Sequence, residues 1–184
     1  MKRSIGLLAL LVLVFAFSGV VAAQERLLDN FDFVHGFSTE NKAIISLNFD
    51  PEFVKEGNVS LKVVKEAGDA RSMVRLRNYH RNFISDLTEY NRLGFWVYFP
   101  QASLLREDVA LQMSFWLTSG SKINFPFPVT DFVDGWNYVE VDLTDPTKYF
   151  MRKDVDLIEF QVRTADGDAE MVYYYDDIRL YNAE

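Results

Sequence analysis

The segment Met171-Val-Tyr-Tyr-Tyr-Asp-Asp-Ile-Arg-Leu-Tyr181 at the end of the chain decides the fold. Aromatic and β-branched residues dominate it, and they favour a pleated, half-buried strand whose side chains alternate between two faces. A carboxylate at a buried strand position is costly unless it is paired or bound to a metal. Strict alternation predicts one face made of Val172, Tyr174, Asp176, Ile178 and Leu180, and another made of Tyr173, Tyr175, Asp177, Arg179 and Tyr181.

Other strand-like segments precede this ending, with turn residues such as Asp134-Gly135 between them. No segment sustains a helical period over several turns. Many short strands separated by turns favour an all-β, two-sheet antiparallel sandwich. The predicted strands span residues 26–33, 43–49, 60–65, 73–78, 92–99, 109–118, 123–129, 136–143, 157–163 and 171–181, with short helical turns at 82–91, 103–108 and 145–154.

The first 23 residues have the pattern of a signal peptide. Lys2 and Arg3 precede an apolar run over residues 5–21, and Val21-Ala22-Ala23 fits a small-residue cleavage site. An uncleaved N-terminal anchor is the alternative. We expect a secreted or periplasmic protein with no membrane association after cleavage, in which residues 24–184 form one domain. The absence of cysteine excludes disulfides, so burial must stabilise the fold.

The charge balance is acidic. The formal net charge is −8, and it becomes −10 once Lys2 and Arg3 are removed. An acidic chain is poorly suited to nucleic acid or to acidic membranes, and it is compatible with neutral glycans or with cations. Aromatic residues make up 15% of the chain, which a sandwich core together with a sugar-stacking surface would explain.

Three segments together resemble a known family. They are Leu28-Asp-Asn-Phe-Asp32, Gly135-Trp-Asn-Tyr-Val-Glu-Val-Asp-Leu-Thr144 and the Asp-Asp-Ile of the final strand. This combination resembles the jelly-roll, galactose-binding-domain-like carbohydrate-binding modules of bacterial polysaccharide-degrading systems. The resemblance implies a jelly-roll sandwich that holds a polysaccharide or oligosaccharide, such as a β-glucan or mannan, without catalysis. Separate glycan-degrading enzymes would be possible partners.

The family often carries its ligand across the concave outer face of one sheet, which directs attention to outward aromatic and planar polar residues. Sugar rings stack on aromatic rings, and sugar hydroxyls bond to planar polar groups. Loop-covered indoles that serve only packing are the alternative. The predicted ligand-binding residues are Trp116, Gln112, Gln161 and Arg163, joined by Arg75, Arg77, Tyr98 and Trp96 if their strands lie in the same sheet.

The resemblance also implies a structural calcium ion between the first strand, an early loop and the last strand. Hard cations of this kind prefer several oxygen ligands. The alternative is an aspartate pair satisfied by backbone amides and by Arg179 or Arg26. The predicted ligands are Asp29 or Asp32, Glu56, and Asp176 or Asp177.

No catalytic residues are predicted. Glycoside hydrolysis needs two carboxylates flanking one bond, and Glu140, Asp142 and Glu159 are interpreted as solvated outward charges. The tripeptide Tyr79-His80-Arg81 offers the residue types of jelly-roll polysaccharide lyases, but it is interpreted as a surface loop. The alternatives to a sugar-binding module are a structural or protein-interaction module, and a small lyase or hydrolase.

Overall fold

The computed structural model describes residues 25–32, 34–145 and 152–183, so the predicted signal peptide lies outside it. Among these residues no helix is long and apolar enough to span a bilayer. Three short 3-10 helices occur in the described ranges, at Pro51–Phe53, Ala102–Leu104 and Val129–Asp131. The strands are β1 (Glu25–Asp29), β2 (Phe37–Glu40), β3 (Ala43–Asn48), β4 (Ser60–Lys65), β5 (Arg71–Arg77), β6 (Arg92–Phe99), β7 (Leu111–Leu117), β8 (Lys122–Phe127), β9 (Gly135–Asp142), β10 (Val155–Arg163) and β11 (Met171–Tyr181).

The strands form two antiparallel sheets. Sheet A has the order β3-β4-β11-β6-β9, with β1 also paired to β11, and sheet B has the order β2-β5-β10-β7-β8. The last strand is therefore central in sheet A and contacts three others. The predicted all-β, two-sheet antiparallel jelly-roll sandwich is confirmed.

Each predicted strand overlaps an observed one, and among the described residues β2 is the only strand that the sequence pattern does not predict. That strand is four residues long and buries only Phe37, so it has no alternation to detect. The predicted helical turn at 82–91 contains no helix. The turn predicted at 103–108 overlaps the 3-10 helix Ala102–Leu104. The one predicted at 145–154 lies mostly outside the described residues.

The core lies between the sheets and is built by alternation, as a two-layer sandwich requires. The predicted inward residues are buried in the strands that keep a regular register. They include Val74 and Leu76 of β5, Leu93, Phe95, Val97 and Phe99 of β6, Leu111, Met113 and Phe115 of β7, Val139 and Val141 of β9, and Ile158, Phe160 and Val162 of β10.

Strand β11 departs from strict alternation, and the predicted assignment of its faces is wrong. Tyr173 and Tyr175 are buried in the core together with Ile178 and Leu180. The register with β6 shifts between Asp176 and Arg179. Within this interval Asp177 adopts a φ of 52°. Such a bulge adds one residue to a strand and resets the alternation, so both halves of β11 face the core.

A hydrogen bond inside the core joins the two sheets. Ser72 of β5 and Tyr173 of β11 are both fully buried, and their hydroxyl oxygens are 2.8 Å apart. The nearby Tyr175 hydroxyl is also buried, but it has no hydrogen-bond partner among the described residues. The two tyrosines therefore form a matched pair, in which one hydroxyl is satisfied and the other is not.

We expect the substitutions Tyr173→Phe and Tyr175→Phe to have different effects on the free energy of unfolding. Tyr173→Phe leaves the Ser72 hydroxyl buried without a partner, which costs about 1–3 kcal/mol. Tyr175→Phe removes a hydroxyl that makes no bond, so its effect should lie within about 0.5 kcal/mol of zero or be stabilising. Denaturant unfolding of both variants measures the difference, and equal losses would contradict the hydrogen-bond assignment.

Candidate functional site

The outward side chains of sheet B form one surface, which we call the B face. Six of the eight predicted ligand-binding residues lie on it: Trp116, Gln112, Gln161, Arg163, Arg75 and Arg77. Its full set is Ser38 and Glu40 of β2, Arg71, Met73, Arg75 and Arg77 of β5, Leu157, Glu159, Gln161 and Arg163 of β10, Gln112, Ser114 and Trp116 of β7, and Lys122, Asn124 and Pro126 of β8.

Trp116 gives the B face an aromatic ring that is only partly buried. It pairs in register with Leu157 on one side and Lys122 on the other. The Lys122 ammonium lies 4.9 Å from the centre of the indole. The indole N–H is buried and has no acceptor among the described residues. A tryptophan N–H normally finds a partner, so this one is an unused donor.

A cluster of planar polar groups lies along the same strands. Arg163 donates from Nε (3.0 Å) and Nη2 (2.8 Å) to the Gln161 carbonyl oxygen, and from Nη2 to Gln112 at 3.3 Å. The Gln112 amide donates in turn to Asn124 at 3.2 Å. These bonds hold two amides and a guanidinium in fixed orientations, which is the geometry that sugar hydroxyls require.

Glu159 is at the centre of the B face and is inaccessible to solvent, so the expectation that it is a solvated charge is wrong. Arg75 donates to it at 2.7 Å and Lys122 at 2.6 Å, and both side chains cover it. Burial raises the pKa of Glu159, but the hydrogen bonds from Lys122 and Arg75 outweigh that effect and lower it overall. Glu159 is therefore an ionised anchor for two cations.

Trp96 and Tyr98 lie on β6 in sheet A, on the opposite surface of the sandwich from the other predicted residues. Lys55 covers the Trp96 ring at 4.3 Å. Tyr98 packs edge-on against Phe53 and Trp136, with ring centres 5.1 Å and 5.4 Å apart. Trp96 and Tyr98 were predicted to bind ligand only if their strand lay in the same sheet as the other predicted residues. That condition is not met, and their rings contribute to local packing.

The five predicted calcium ligands do not meet in one place. The Asp29 carboxylate is buried against His80 Nε2 and accepts a bond from the Phe31 amide. Asp32 is paired with Arg81 at 3.5 Å. Across residues 25–32, 34–145 and 152–183, no three or more His, Asp or Glu side chains are grouped so that they would hold a metal ion. The calcium ion remains a prediction without an assembled ligand set.

The aspartate pair in β11 is held by backbone amides and by an arginine. Asp176 Oδ2 accepts from the amides of Lys55 (2.7 Å) and Glu56 (3.0 Å), whereas its buried Oδ1 has no partner among the described residues. Asp177 is paired with Arg179. Burial raises the pKa of Asp176 to about 6, the two amides oppose the shift, and Asp177 adds to it.

The candidate catalytic groups do not converge. Glu140 and Asp142 are exposed outward charges paired with Arg92, as expected. His80 is buried rather than on the surface, because it packs against Phe37 and Asp29, so that expectation is wrong. Tyr79 beside it is exposed to solvent.

Some residues of the B face were missed from the sequence. Ser114 and Asn124 accept bonds from the Gln112 amide, and Lys122 lies over the Trp116 ring and donates to Glu159. Their outward positions on β7 and β8 were the available signal. Placing them on one surface with the residues of β10 requires the strand order β10-β7-β8, which the pattern of single strands does not contain.

We expect Asp176→Asn to stabilise the protein above pH 6. A carboxylate whose pKa rises from 3.8 to about 6 on folding destabilises the folded state when it is ionised, by about 1–3 kcal/mol. The asparagine keeps one oxygen for the Lys55 and Glu56 amides. At pH 8 the variant should therefore unfold several degrees higher than the wild type, roughly 2–4 °C per kcal/mol. This advantage should shrink as the pH falls below 6 and disappear below the unfolded-state pKa of 3.8, where Asp176 is protonated in both states.

Thermal unfolding in EGTA and in calcium provides the control for this prediction. In EGTA the difference between the two proteins should follow the pH as described. If calcium stabilises the wild type at pH 8 but does not stabilise the variant, the interpretation of Asp176 as an ionised carboxylate that destabilises the fold is contradicted. That result would support the calcium prediction instead.

The sequence matches no protein-family model and no curated protein. Three solved carbohydrate-binding modules match it over nearly their whole length, whereas it corresponds to about a quarter of several larger enzymes. The family 11 carbohydrate-binding module of Clostridium thermocellum, in complex with a β-1,3-1,4-mixed-linked tetrasaccharide, has a TM-score of 0.60 at 12% identity, over 88% of this chain and 98% of that one. The family 30 module of a cellulosomal cellulase from the same organism has a TM-score of 0.61 at 15% identity, over 88% and 99%.

A third match is the module CBM27-1 of Caldicellulosiruptor saccharolyticus in complex with mannohexaose. Its TM-score is 0.59 at 13% identity, over 86% of this chain and 97% of that one. These identities are too low to establish a family, but the agreement covers the whole sandwich. The chain therefore has the β-sandwich fold of carbohydrate-binding modules.

Proposed function

We propose that this protein is an exported, non-catalytic module that binds a polysaccharide or oligosaccharide on the B face. The observation that carries the proposal is the combination on one surface of a partly exposed indole with a fixed array of amides and guanidiniums. Aromatic rings stack on the apolar faces of sugars, and planar polar groups bond to their hydroxyls. The sandwich that presents this surface has the fold of modules whose solved structures include oligosaccharide complexes.

Each part of the B face has a distinct role in the proposed interaction. The partly exposed Trp116 ring offers apolar area for stacking, whereas its N–H is buried and is not accessible to a ligand. Gln112 and Arg163 offer donors and acceptors that are already ordered, and the buried Gln161 holds Arg163 in place, so binding loses little side-chain entropy. Stacking on one aromatic ring contributes on the order of 1 kcal/mol, so binding would be weak and reversible.

Export and the absence of catalysis are part of the same proposal. Residues 1–23 carry the pattern of a signal peptide. Within the described residues, Glu159 is engaged by two cations, and Glu140 and Asp142 by Arg92. A module of this kind would hold glycan near separate glycan-degrading enzymes. Release of reducing ends from a polysaccharide panel by the purified protein would contradict the non-catalytic part.

We expect Trp116→Ala to weaken polysaccharide binding at least about fivefold, because loss of about 1 kcal/mol of stacking corresponds to that factor. The matched control is Trp96→Ala, which removes the same side chain from the opposite surface of the sandwich and should leave binding unchanged. Affinity electrophoresis on a panel of charged and neutral polysaccharides, followed by calorimetry with the best ligand, provides the measurement. Unfolding midpoints verify that both variants are folded.

Two results would overturn this proposal. The first is an absence of binding to every polysaccharide in the panel, which would favour a structural or protein-interaction role. The second is a loss of binding in Trp96→Ala with no loss in Trp116→Ala, which would move the site to sheet A.

A further inference from the structure

The B face is basic although the chain is acidic. It carries five basic side chains, Arg71, Arg75, Arg77, Arg163 and Lys122, against two acidic ones, Glu40 and Glu159. The whole chain has a formal net charge of −8. Because hydrogen bonding to neutral sugar hydroxyls needs no such excess, the positive charge requires a separate explanation.

Part of this positive charge is neutralised within the face itself. Arg75 is paired with both Glu159 and Glu40, and Lys122 is paired with Glu159. These four side chains form a continuous network at the centre of the surface. Its two cations and two anions balance, so the middle of the B face has no net charge. The arginines at the two ends of the face are not part of this network.

Arg163 and Arg77 are bonded only to neutral acceptors. Arg163 donates to the carbonyl oxygens of Gln161 and Gln112, and Arg77 donates from Nε to the Ser38 hydroxyl at 2.8 Å. No carboxylate of the described residues lies within 4 Å of either guanidinium. Asp156, in the irregular part of β10, is bonded to Asn78 rather than to Arg77.

The ends of the two guanidiniums are available for a ligand. Among the described residues nothing accepts a bond from the terminal nitrogens of Arg77, nor from Nη1 of Arg163. Both side chains are partly buried and held in place by their existing bonds. They are therefore oriented donors whose positive charge is not compensated locally.

Arg163 belongs to a cluster of charged side chains at one end of the face, in which Arg71 and Arg106 lie among Asp69, Glu107 and Asp108. It pairs in register with Arg71, and Arg106 lies nearby beside an open cavity of about 610 Å³. Burial lowers the pKa of Arg163, and the charges of Arg106 and Arg71 lower it further. Arg71 and Arg106 have their own partners, Asp69 and Asp108, so Arg163 is the member of this cluster without a carboxylate.

We propose that the B face selects an anionic polysaccharide, with Arg163 and Arg77 binding acidic groups on well-separated residues of the ligand. This inference rests on the proposed function and names its ligand class. Arg71 and Arg77 are six residues apart on β5, so the two ends of the face are roughly 20 Å apart. A guanidinium binds a carboxylate or sulfate through two parallel hydrogen bonds, which are stronger than bonds to neutral oxygens.

Calorimetry with matched ligands tests this inference. Polygalacturonate and its fully methyl-esterified form share one backbone and differ in charge, and a sulfated galactan adds a second kind of anion. We expect the charged polymers to bind at least tenfold more tightly than the methyl-esterified form at low salt. Raising sodium chloride to 0.5 M should remove most of that difference. Whichever of carboxylate and sulfate binds more tightly identifies the acidic group.

Charge variants locate the interaction. Arg163→Gln and Arg77→Gln should each weaken binding of the charged polymer at least about fivefold, and by a larger factor than they weaken binding of the neutral polymer. The matched control is Lys62→Gln, which removes one positive charge from β4 in sheet A, on the opposite surface. Arg163→Lys keeps the charge but loses the two-pronged geometry, so its affinity should fall between those of the wild type and Arg163→Gln.

The outcomes separate this inference from the proposed function. Equal or tighter binding of the neutral polymer, with loss in Trp116→Ala, would overturn the anionic ligand class and leave carbohydrate binding intact. Equal weakening by Lys62→Gln and Arg163→Gln would reduce the effect to net charge and would also overturn the inference. Failure of every charged and neutral polymer to bind would overturn both.

Discussion

The bulge at Asp176 and Asp177 is the constraint on which the sandwich depends. The strand β11 lies between β4 and β6 in sheet A and also pairs with β1. A one-residue shift in which of its side chains face the core would therefore disturb the pairing of most of that sheet. Without an extra residue, either the Tyr173 half or the Ile178 half would face solvent. The bulge keeps both halves against the core, and Asp177 adopts the positive φ that this requires.

The same bulge explains why the sequence predicts most of the fold but not this strand's faces. Alternation predicts the inward residues correctly where a strand segment has no bulge, as in β6, β7 and residues 157–163 of β10. It cannot detect an inserted residue, because a bulge changes the phase without changing composition. The short strand β2 was missed for a related reason, since four residues with one buried side chain contain no period.

The candidate site shows a different limit. Alternation predicted that Trp96 and Trp116 both point outward, and both do, but it does not say from which sheet. That information is in the strand order, which depends on contacts between residues far apart in the chain. Glu159 illustrates the point, since an outward glutamate is normally solvated. Only its register with Arg75 and its contact with Lys122 make it a buried, doubly paired anion.

The two outer surfaces differ in what covers them. On sheet A several aromatic residues are covered by the protein itself, because the rings of Phe53 and Tyr174 stack with their centres 4.5 Å apart and Lys55 lies over Trp96, whereas Tyr138 is exposed. On sheet B the covering groups are long polar side chains that belong to the face, and several of them keep unused donors. The hydroxyls of Tyr138 and Tyr181 on sheet A are bonded to each other and to Glu140. The B face combines a partly exposed ring with oriented guanidiniums and amides that keep unused donors, and for this reason it is the better candidate for recognising a polar polymer.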